Sequence, residues 1–299
     1  MRHAAAAASL LAALPLASCS GWKLETAREE RNLSASIGAG RAIRVETQNG
    51  GVEIVSDPTL SAVAIKADVR GAAPTEEEAR VRLAEIEIVA ENVDGGDLAI
   101  SLVFPDGKAR NNEGCDFEIR TPGATGVTVS TGNGPVRIEG LAGFADLLSS
   151  NGPITVVRHD GAVHADTSNG RITVENASGE ADLSSSNGRI AVTGARAKVT
   201  ARTSNGDIEF RAASGFSAPF HLDTSNGDVT VSLPPGASVD VSASTSNGAV
   251  STEGSPMSVS GRRNSKRIRV GEGAHPSRVE TSNGHVTVAV VGREAELPQ

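Results

Sequence analysis

Tyrosine is absent from this chain, and 299 residues hold one Trp and six Phe. Any core must therefore be built from Val, Ile, Leu and Ala, and a carbohydrate site lined with stacked rings is disfavoured. An outer-membrane barrel is excluded on similar grounds, because its strands need about ten residues and aromatic girdles. Positive charge is also short: 28 Lys and Arg face 36 Asp and Glu, a formal charge of −8. Nucleic acid and anionic lipid both demand a basic patch, so neither is expected as a main partner. The Gly- and Asp-rich nonapeptides of calcium-binding β-rolls are missing.

Cysteine occurs twice, at Cys19 and Cys115, and the first lies in an unusual setting. Arg2 precedes an apolar run from Ala4 to Leu16 and then small residues, the three-part pattern of a secretory signal peptide, in a run too short to span a bilayer. "LASC" at Leu16 to Cys19 resembles the lipobox of bacterial lipoproteins, in which the cysteine is lipidated and becomes the mature N-terminus. Residues 1–18 are then the signal peptide, and two or more acyl chains on Cys19 give stable membrane anchoring. The plainer alternative is an ordinary leader ending near Ser18 and a chance cysteine. Ser20, rather than Asp, follows Cys19, which by the sorting rule for such lipoproteins implies the outer membrane in a cell that has one. Cys115 is left as a lone thiol with no expected function.

Residues 19–39 are charged and lack sustained periodicity, so they read as a lipidated tether, with a short helix as the alternative. Residues 40–122 read as an irregular β-rich cap. Within it, "RAIRVETQNGGVEIVS" alternates as strand, corner, strand, and Glu76 to Glu78 after Thr75 predict a short helix stopping near Leu83.

From residue 123 to 291 the chain is regular. Asn133, Asn151, Asn169, Asn187, Asn205, Asn226, Asn247 and Asn283 each precede Gly, at steps of 18, 18, 18, 18, 21, 21 and 36. The last gap holds a degenerate copy, "NSKRIRV", with Ser265 in place of Asn, which brings the count to nine units. In one unit Ala181, Leu183 and Ser185 share a face, the chain turns at Asn187-Gly188, and Ile190 and Val192 resume that face. Positive φ at the corner is the expected reason for Asn and Gly. A short fixed period marks a repeat architecture. The expected fold is all-β, a parallel β-helix or β-solenoid of about nine turns of 18–21 residues. An antiparallel β-hairpin array is the alternative, disfavoured because twisted open sheets rarely exceed about ten strands. Stacking at about 4.8 Å would give nine turns a span of about 43 Å. The inward Thr and Ser before each corner should bond to their copies on the next turn, and the asparagines should form a turn ladder. The last strand, Val286 to Val291, is expected to leave an open edge, blunted by the tail 292–299.

With its lipobox, "TQNG" lead-in, "FEIRTPGATGVTVST" and "VSLPPGASVDV" between NG repeats, the sequence resembles a bacterial family of provisionally named adhesin domains of unknown function. The resemblance implies an envelope-associated β-helical fold.

No catalytic constellation emerges. His164 and His221 share an outward position with Asp182 and Thr200, a mixture that reads as solvated surface rather than metal ligands. Asp166, Asp223 and Glu280 recur three before their asparagines, but repeated acids on a rod do not define the fixed carboxylate pair of a glycosidase. Thr155, Thr173, Thr230, Ser251 and Thr287 form an outward polar row, read as β-branched residues on a solvated strand rather than an adhesive face. The serines of "SNG" lack fixed His and acid partners. The expectation is a non-catalytic envelope lipoprotein without cofactor or metal, serving adhesion, binding or scaffolding. Its expected partners are the membrane through its lipid and an envelope protein or surface polysaccharide, not nucleic acid. An envelope-stress accessory protein acting through a periplasmic partner and a carbohydrate-active β-helix enzyme are the alternatives.

Overall fold

Alternating apolar residues on both sides of each Asn-Gly pair make strands whose inward faces meet across the corner. A computed structural model describes residues 24–38, 40–93 and 95–292. Signal peptide, Cys19 and tail residues 293–299 lie outside the described residues.

Strand β1 (Glu25–Ala35) is followed by β2 (Ala42–Asn49), the corner at Asn49-Gly50, and β3 (Val52–Ser56). Then come β4 (Val63–Ala73), helix α1 (Glu76–Glu85), the hairpin β5 (Glu87–Val93) and β6 (Asp97–Val103), and β7 (Gly114–Thr121). The regular pairs are β8 (Gly126–Asn133) with β9 (Val136–Glu139), β10 (Phe144–Ser149) with β11 (Ile154–Val157), and β12 (Val163–Thr167) with β13 (Ile172–Glu175). They continue as β14 (Ala181–Ser185) with β15 (Ile190–Ala195), β16 (Val199–Thr203) with β17 (Ile208–Ala212), and β18 (Phe220–Asn226) with β19 (Val229–Leu233). Pair β20 (Val239–Thr245) and β21 (Val250–Glu253) precedes a hairpin of β22 (Ser258–Arg262) and β23 (Ser265–Val270). Last come β24 (His275–Asn283) and β25 (Val286–Val290).

The first strand of each pair joins a 13-stranded sheet and the second a 12-stranded sheet. Each regular strand runs parallel to its counterpart on the neighbouring turn, as Ala165 beside Leu183 and Val174 beside Val192 show, so the fold is a β-solenoid rather than a hairpin array. Between the sheets the core is stacked in columns. Ile54, Ile138, Val156, Val174, Val192, Phe210, Val231 and Val288 form one of them, all buried. Each such aliphatic side chain stabilises the fold by about 1.5–3 kcal/mol. The 21-residue steps do more than enlarge an outer loop: Phe216, in the loop after β17, turns inward and packs at 5.6 Å edge-on against Phe210, which stacks 4.9 Å from Phe220.

Nine turns are present, but not the nine expected. The first is β2–β3 around Asn49, which pairs in parallel with β8–β9, so part of the expected irregular cap already belongs to the solenoid. The segment holding Ser265 is not a turn. Strand β23 runs antiparallel to β20 and to β22, because Arg263-Asn264 makes a hairpin tip where the other units make a corner. The final two turns are also exchanged: β24–β25 insert between β18–β19 and β20–β21. Val286–Val290 is therefore an interior strand, and the expected open edge at the chain end is overturned; the outermost strands at that end are β21 and β22.

The tether reading fails over residues 25–35, where β1 pairs antiparallel with β4 along its whole length. Its charge is accommodated by specific contacts: the Arg31 guanidinium donates to the carbonyls of Leu83, at 2.8 Å, and Ile86, holding the C-terminal end of α1. The helix begins as expected, with Thr75 Oγ1 accepting from Glu78 N at 3.3 Å. Opposite, Arg82 and the fully buried Glu113 form an ion pair at 2.8 Å.

Two local expectations about the corner are corrected. Positive φ is not its reason: neither the corner asparagines nor the glycines that follow them from Gly134 to Gly284 adopt it. The glycines are dictated by stacking, because a Cβ on Gly170 would lie 1.9 Å from the Gly152 carbonyl oxygen and one on Gly188 would lie 1.7 Å from that of Gly170. From Thr131 onward the inward hydroxyls bond not to their copies but to the carbonyls of the corner glycines on the neighbouring turn. Thr167 Oγ1 donates to Gly152 O at 3.2 Å while accepting from Gly170 N at 3.1 Å, and Ser185 does likewise with Gly170 and Gly188.

Candidate functional site

Outward residues of the 13-stranded sheet stand in register, so side chains at equivalent positions form rows along the solenoid axis. One row runs Asp146, His164, Asp182, Thr200, His221, Arg278 and Ser242. It contains both histidines singled out in the sequence, in the same outward position. Short side chains here leave a shallow trough between longer neighbours. One stretch, of about 430 Å³, is lined by Phe144, Asp146, His164, Glu180, Asp182 and Lys198. The next, of about 470 Å³, continues from Lys198 and Thr200 past His221 to Ser242, Arg278 and Ser265. Lys198 and Thr200 line both, so the two form one groove crossing seven strands, about 29 Å at the strand spacing.

Its charge changes along its length. At one end lie Asp146, Glu180 and Asp182, with Lys198 3.4 Å from Glu180 and Arg202 3.7 Å from Asp182. Arg278 lies toward the other, 2.7 Å from Glu280, which also accepts from Ser244 Oγ at 3.3 Å. Arg278 is chiefly what holds the Glu280 carboxyl below its ordinary range. One Asp146 carboxylate oxygen is shielded from solvent and has no hydrogen-bond partner among the described residues. The groove ends at Phe144, whose ring covers Gly126 and is 49% exposed.

The acid row is present but not convergent. Asp166 lies beside Leu148 and Ser184, and Asp223 between Arg202 and Glu280. Of this row, Glu280 is shifted downward, the direction opposite to that of a carboxyl held protonated as a general acid. On the opposite sheet, Thr155 and Thr173 are neighbours, as are Thr230, Thr287 and Ser251, with Ala191 and Glu209 between the two groups. Among the described residues, no three of His, Cys, Asp and Glu converge on a place that could hold a metal ion. Cys115 is buried, and burial pushes its thiol up to about 12.

The asparagines make an unbroken outer row. Each side-chain amide donates to the preceding one: Asn133 to Asn49, then Asn151, Asn169, Asn187, Asn205, Asn226, Asn283 and finally Asn247, at 2.7–3.0 Å throughout. This row joins turns and carries no ligand chemistry of its own. His159, by contrast with the outward His164, is buried at a corner, with Nε2 3.1 Å from the Gly143 carbonyl oxygen. Sequence reasoning missed Phe144, Lys198 and Arg278 as groove residues. Phe144 and Arg278 could have been found by alternation from Asp146 and Glu280, but Arg278 joins the row only because β24 is inserted out of order.

A family model, Toastrack DUF4097, matches residues 79–289. The chain belongs to this family. No curated protein matches the sequence. Among solved structures, a provisionally named adhesin of Bacteroides fragilis is 16% identical, with 89% of this chain and 97% of that one covered and a TM-score of 0.45. A provisionally named lipid-binding protein of Parabacteroides distasonis is 13% identical over 88% and 96%, at 0.47. A provisionally named cell adhesion protein of Clostridium sporogenes is 15% identical over 89% and 100%, at 0.30. The Toastrack match begins inside α1 and so leaves the Asn49 turn outside it. Among the described residues of this Toastrack chain, no helix is long and apolar enough to cross a membrane.

Proposed function

We propose that this protein is a non-catalytic envelope scaffold, lipid-anchored at Cys19 and sited at the outer membrane, whose solenoid presents the Phe144–Arg278 groove to a linear surface polysaccharide. One observation carries the reading: the groove is continuous over seven strands, open at the surface and lined by hydroxyls and charges. A shallow polar trough of that length suits an extended, hydrated polymer better than a small molecule, which favours an enclosed and mostly apolar pocket. Phe144 offers one ring face on which a sugar can stack, and Asp146, His164 and Lys198 offer hydrogen bonds and charge along the way.

Titration of the chain with linear envelope polysaccharides tests this. Binding should weaken about tenfold in Phe144→Ala and again in Lys198→Ala, by the loss of about 1.4 kcal/mol each. Equal binding by both variants, or capture of an envelope protein in place of glycan, would reject the polysaccharide reading. Labelled palmitate tests the anchor, and its incorporation should vanish in Cys19→Ser.

A further inference from the structure

The two ends of the 13-stranded sheet are finished alike and charged oppositely. Outside its parallel strands the sheet closes with an antiparallel hairpin at each end, β5–β6 at one and β22–β23 at the other. The outermost strands, β5 and β22, each have one edge without a partner strand among the described residues. Residues 83–107, which include β5, hold six acidic residues and no Lys or Arg. Residues 254–271, which include β22, hold five Lys and Arg and no acid, in a chain whose formal charge is −8.

At the β5 end Asp97 is paired with Arg44 at 3.2 Å and Asp106 with Arg82 and Arg110 at 3.0 and 2.7 Å, so the charge left over there is that of the β5 side chains. Arg262, Arg263 and Lys266 make no ion pair among the described residues, nor do Glu87 and Glu91. Arg267 and Arg269 share the single carboxylate of Asp240, at 2.7 and 3.2 Å. Register places the charges on one face: Glu87 and Glu91 project outward with Ala99 beside Arg44, and Arg262, Arg267 and Arg269 project outward with Asp240. On the inward face, half-buried Ile88 and Ala90 of β5 correspond to Val259 of β22, which is 43% exposed.

Strand direction also fits. β22 runs with the parallel strands of the sheet and β5 against them. The β22 of one copy and the β5 of another would therefore pair antiparallel and extend the sheet without a break. Opposite charges across such a pair are favourable and like charges unfavourable. Two β22 edges repel each other, as do two β5 edges, so charge that ordinarily guards an edge strand here permits one combination only.

We infer that a second copy of this chain occupies the β22 edge through its β5 edge, giving a polar head-to-tail filament in which the 13-stranded sheets of successive copies join into one. The contact is heterologous, so each copy added leaves one β5 edge and one β22 edge free for the next. This inference does not depend on what the groove binds.

Sedimentation velocity of the full-length chain in detergent tests it. Association should grow with protein concentration at about 50 mM salt and dissolve near 1 M, where the Debye length falls to about 3 Å. Arg262→Glu with Arg263→Glu should weaken association at least tenfold, as should Glu87→Lys with Glu91→Lys. Mixing the two variants should restore it, because each supplies the end that complements the other; restoration also shows that both are folded. A monomer at every concentration, association unmoved by either reversal, or a mixture that stays monomeric would each overturn the inference. Loss of binding to anionic vesicles with association unchanged would do so too, assigning the arginines to a lipid surface.

Discussion

Asn283 Nδ2 donates to Asn226 Oδ1 at 2.9 Å across 57 residues of sequence, and Asn247, which comes between them in the chain, lies one turn further out. The ladder therefore follows space rather than sequence, and each rung reports which turns are neighbours. A rung inside the row shares two amide bonds, whereas the terminal one shares a single bond. Asn187→Ala should cost about 1–2 kcal/mol, and Asn247→Ala about half that, in urea denaturation followed by circular dichroism.

Gly170→Ala should destabilise by roughly 1–3 kcal/mol, because the new Cβ meets the Gly152 carbonyl oxygen at 1.9 Å and the turns must spread. Gly236→Ala, where no atom stands within 4 Å of the added Cβ, should change the midpoint by less than about 0.5 kcal/mol. Equal effects at the two sites would mean that stacking is not what demands the corner glycine.

Thr167→Val keeps the shape and removes a buried hydroxyl that donates to Gly152 O and accepts from Gly170 N. Leaving both backbone groups unmatched should cost about 1–3 kcal/mol, while Thr167→Ser, the residue used naturally at Ser149 and Ser185, should cost under about 1 kcal/mol. Thermal melts of the two variants separate the outcomes.

Glu113 is fully buried, held by Arg82 Nε at 2.8 Å and by the Arg110 backbone N–H at 2.8 Å. Glu113→Gln leaves buried Arg82 with the half-exposed Asp106 carboxylate, 3.0 Å away, as its remaining ion-pair partner and should destabilise by about 3 kcal/mol, the low end for a broken buried pair, whereas replacing both partners, Arg82→Met with Glu113→Leu, should recover much of the loss. A double-variant melt no higher than that of Glu113→Gln would contradict this account.

Acid should weaken the fold in two steps. Burial holds the His159 imidazole below its ordinary 6.5, so the unfolded chain takes up this proton first, and stability begins to fall as pH drops below that value. Hydrogen bonds from Arg267, and then Arg269, hold Asp240 at about 2 against an ordinary 3.8. Its contribution is present above 3.8 and disappears as pH falls through 2. Read as midpoint temperature against pH, His159→Leu should flatten the first step, and Asp240→Asn should make the second shallower without abolishing it, because Asp57, Asp97, Asp106, Glu139 and Glu280 are also held below their ordinary range.

The periodic part of this fold was legible because one side chain in two faces the core and the spacing of Asn-Gly fixes the turn length. Arithmetic failed at the last gap: 36 residues looked like two ordinary turns, and only pairing shows Ser265–Val270 lying antiparallel on β20 while Asn283 sits beside Asn226. A neighbour relation across a gap is not encoded in periodicity. Likewise, β1 was hidden because its half-buried alternation is interrupted by Arg31, whose partners are carbonyls at the end of a helix some 50 residues away. The groove row was half visible in His164 and His221, but that short neighbours sink it into a trough is a property of the surface. The basic tip escaped because net charge averages over a rod whose ends differ.

Strand β25 lies between β19 and β21, so a segment synthesised after the Asn247 turn belongs further inside the stack than that turn. Seven turns can be laid down in the order of synthesis, but the turn around Asn247 emerges before its proper neighbour exists. It must either wait unattached or pack first on β18–β19 and be displaced. Closing this end of the stack therefore waits on the synthesis of β24 and β25, not on that of the turn they displace.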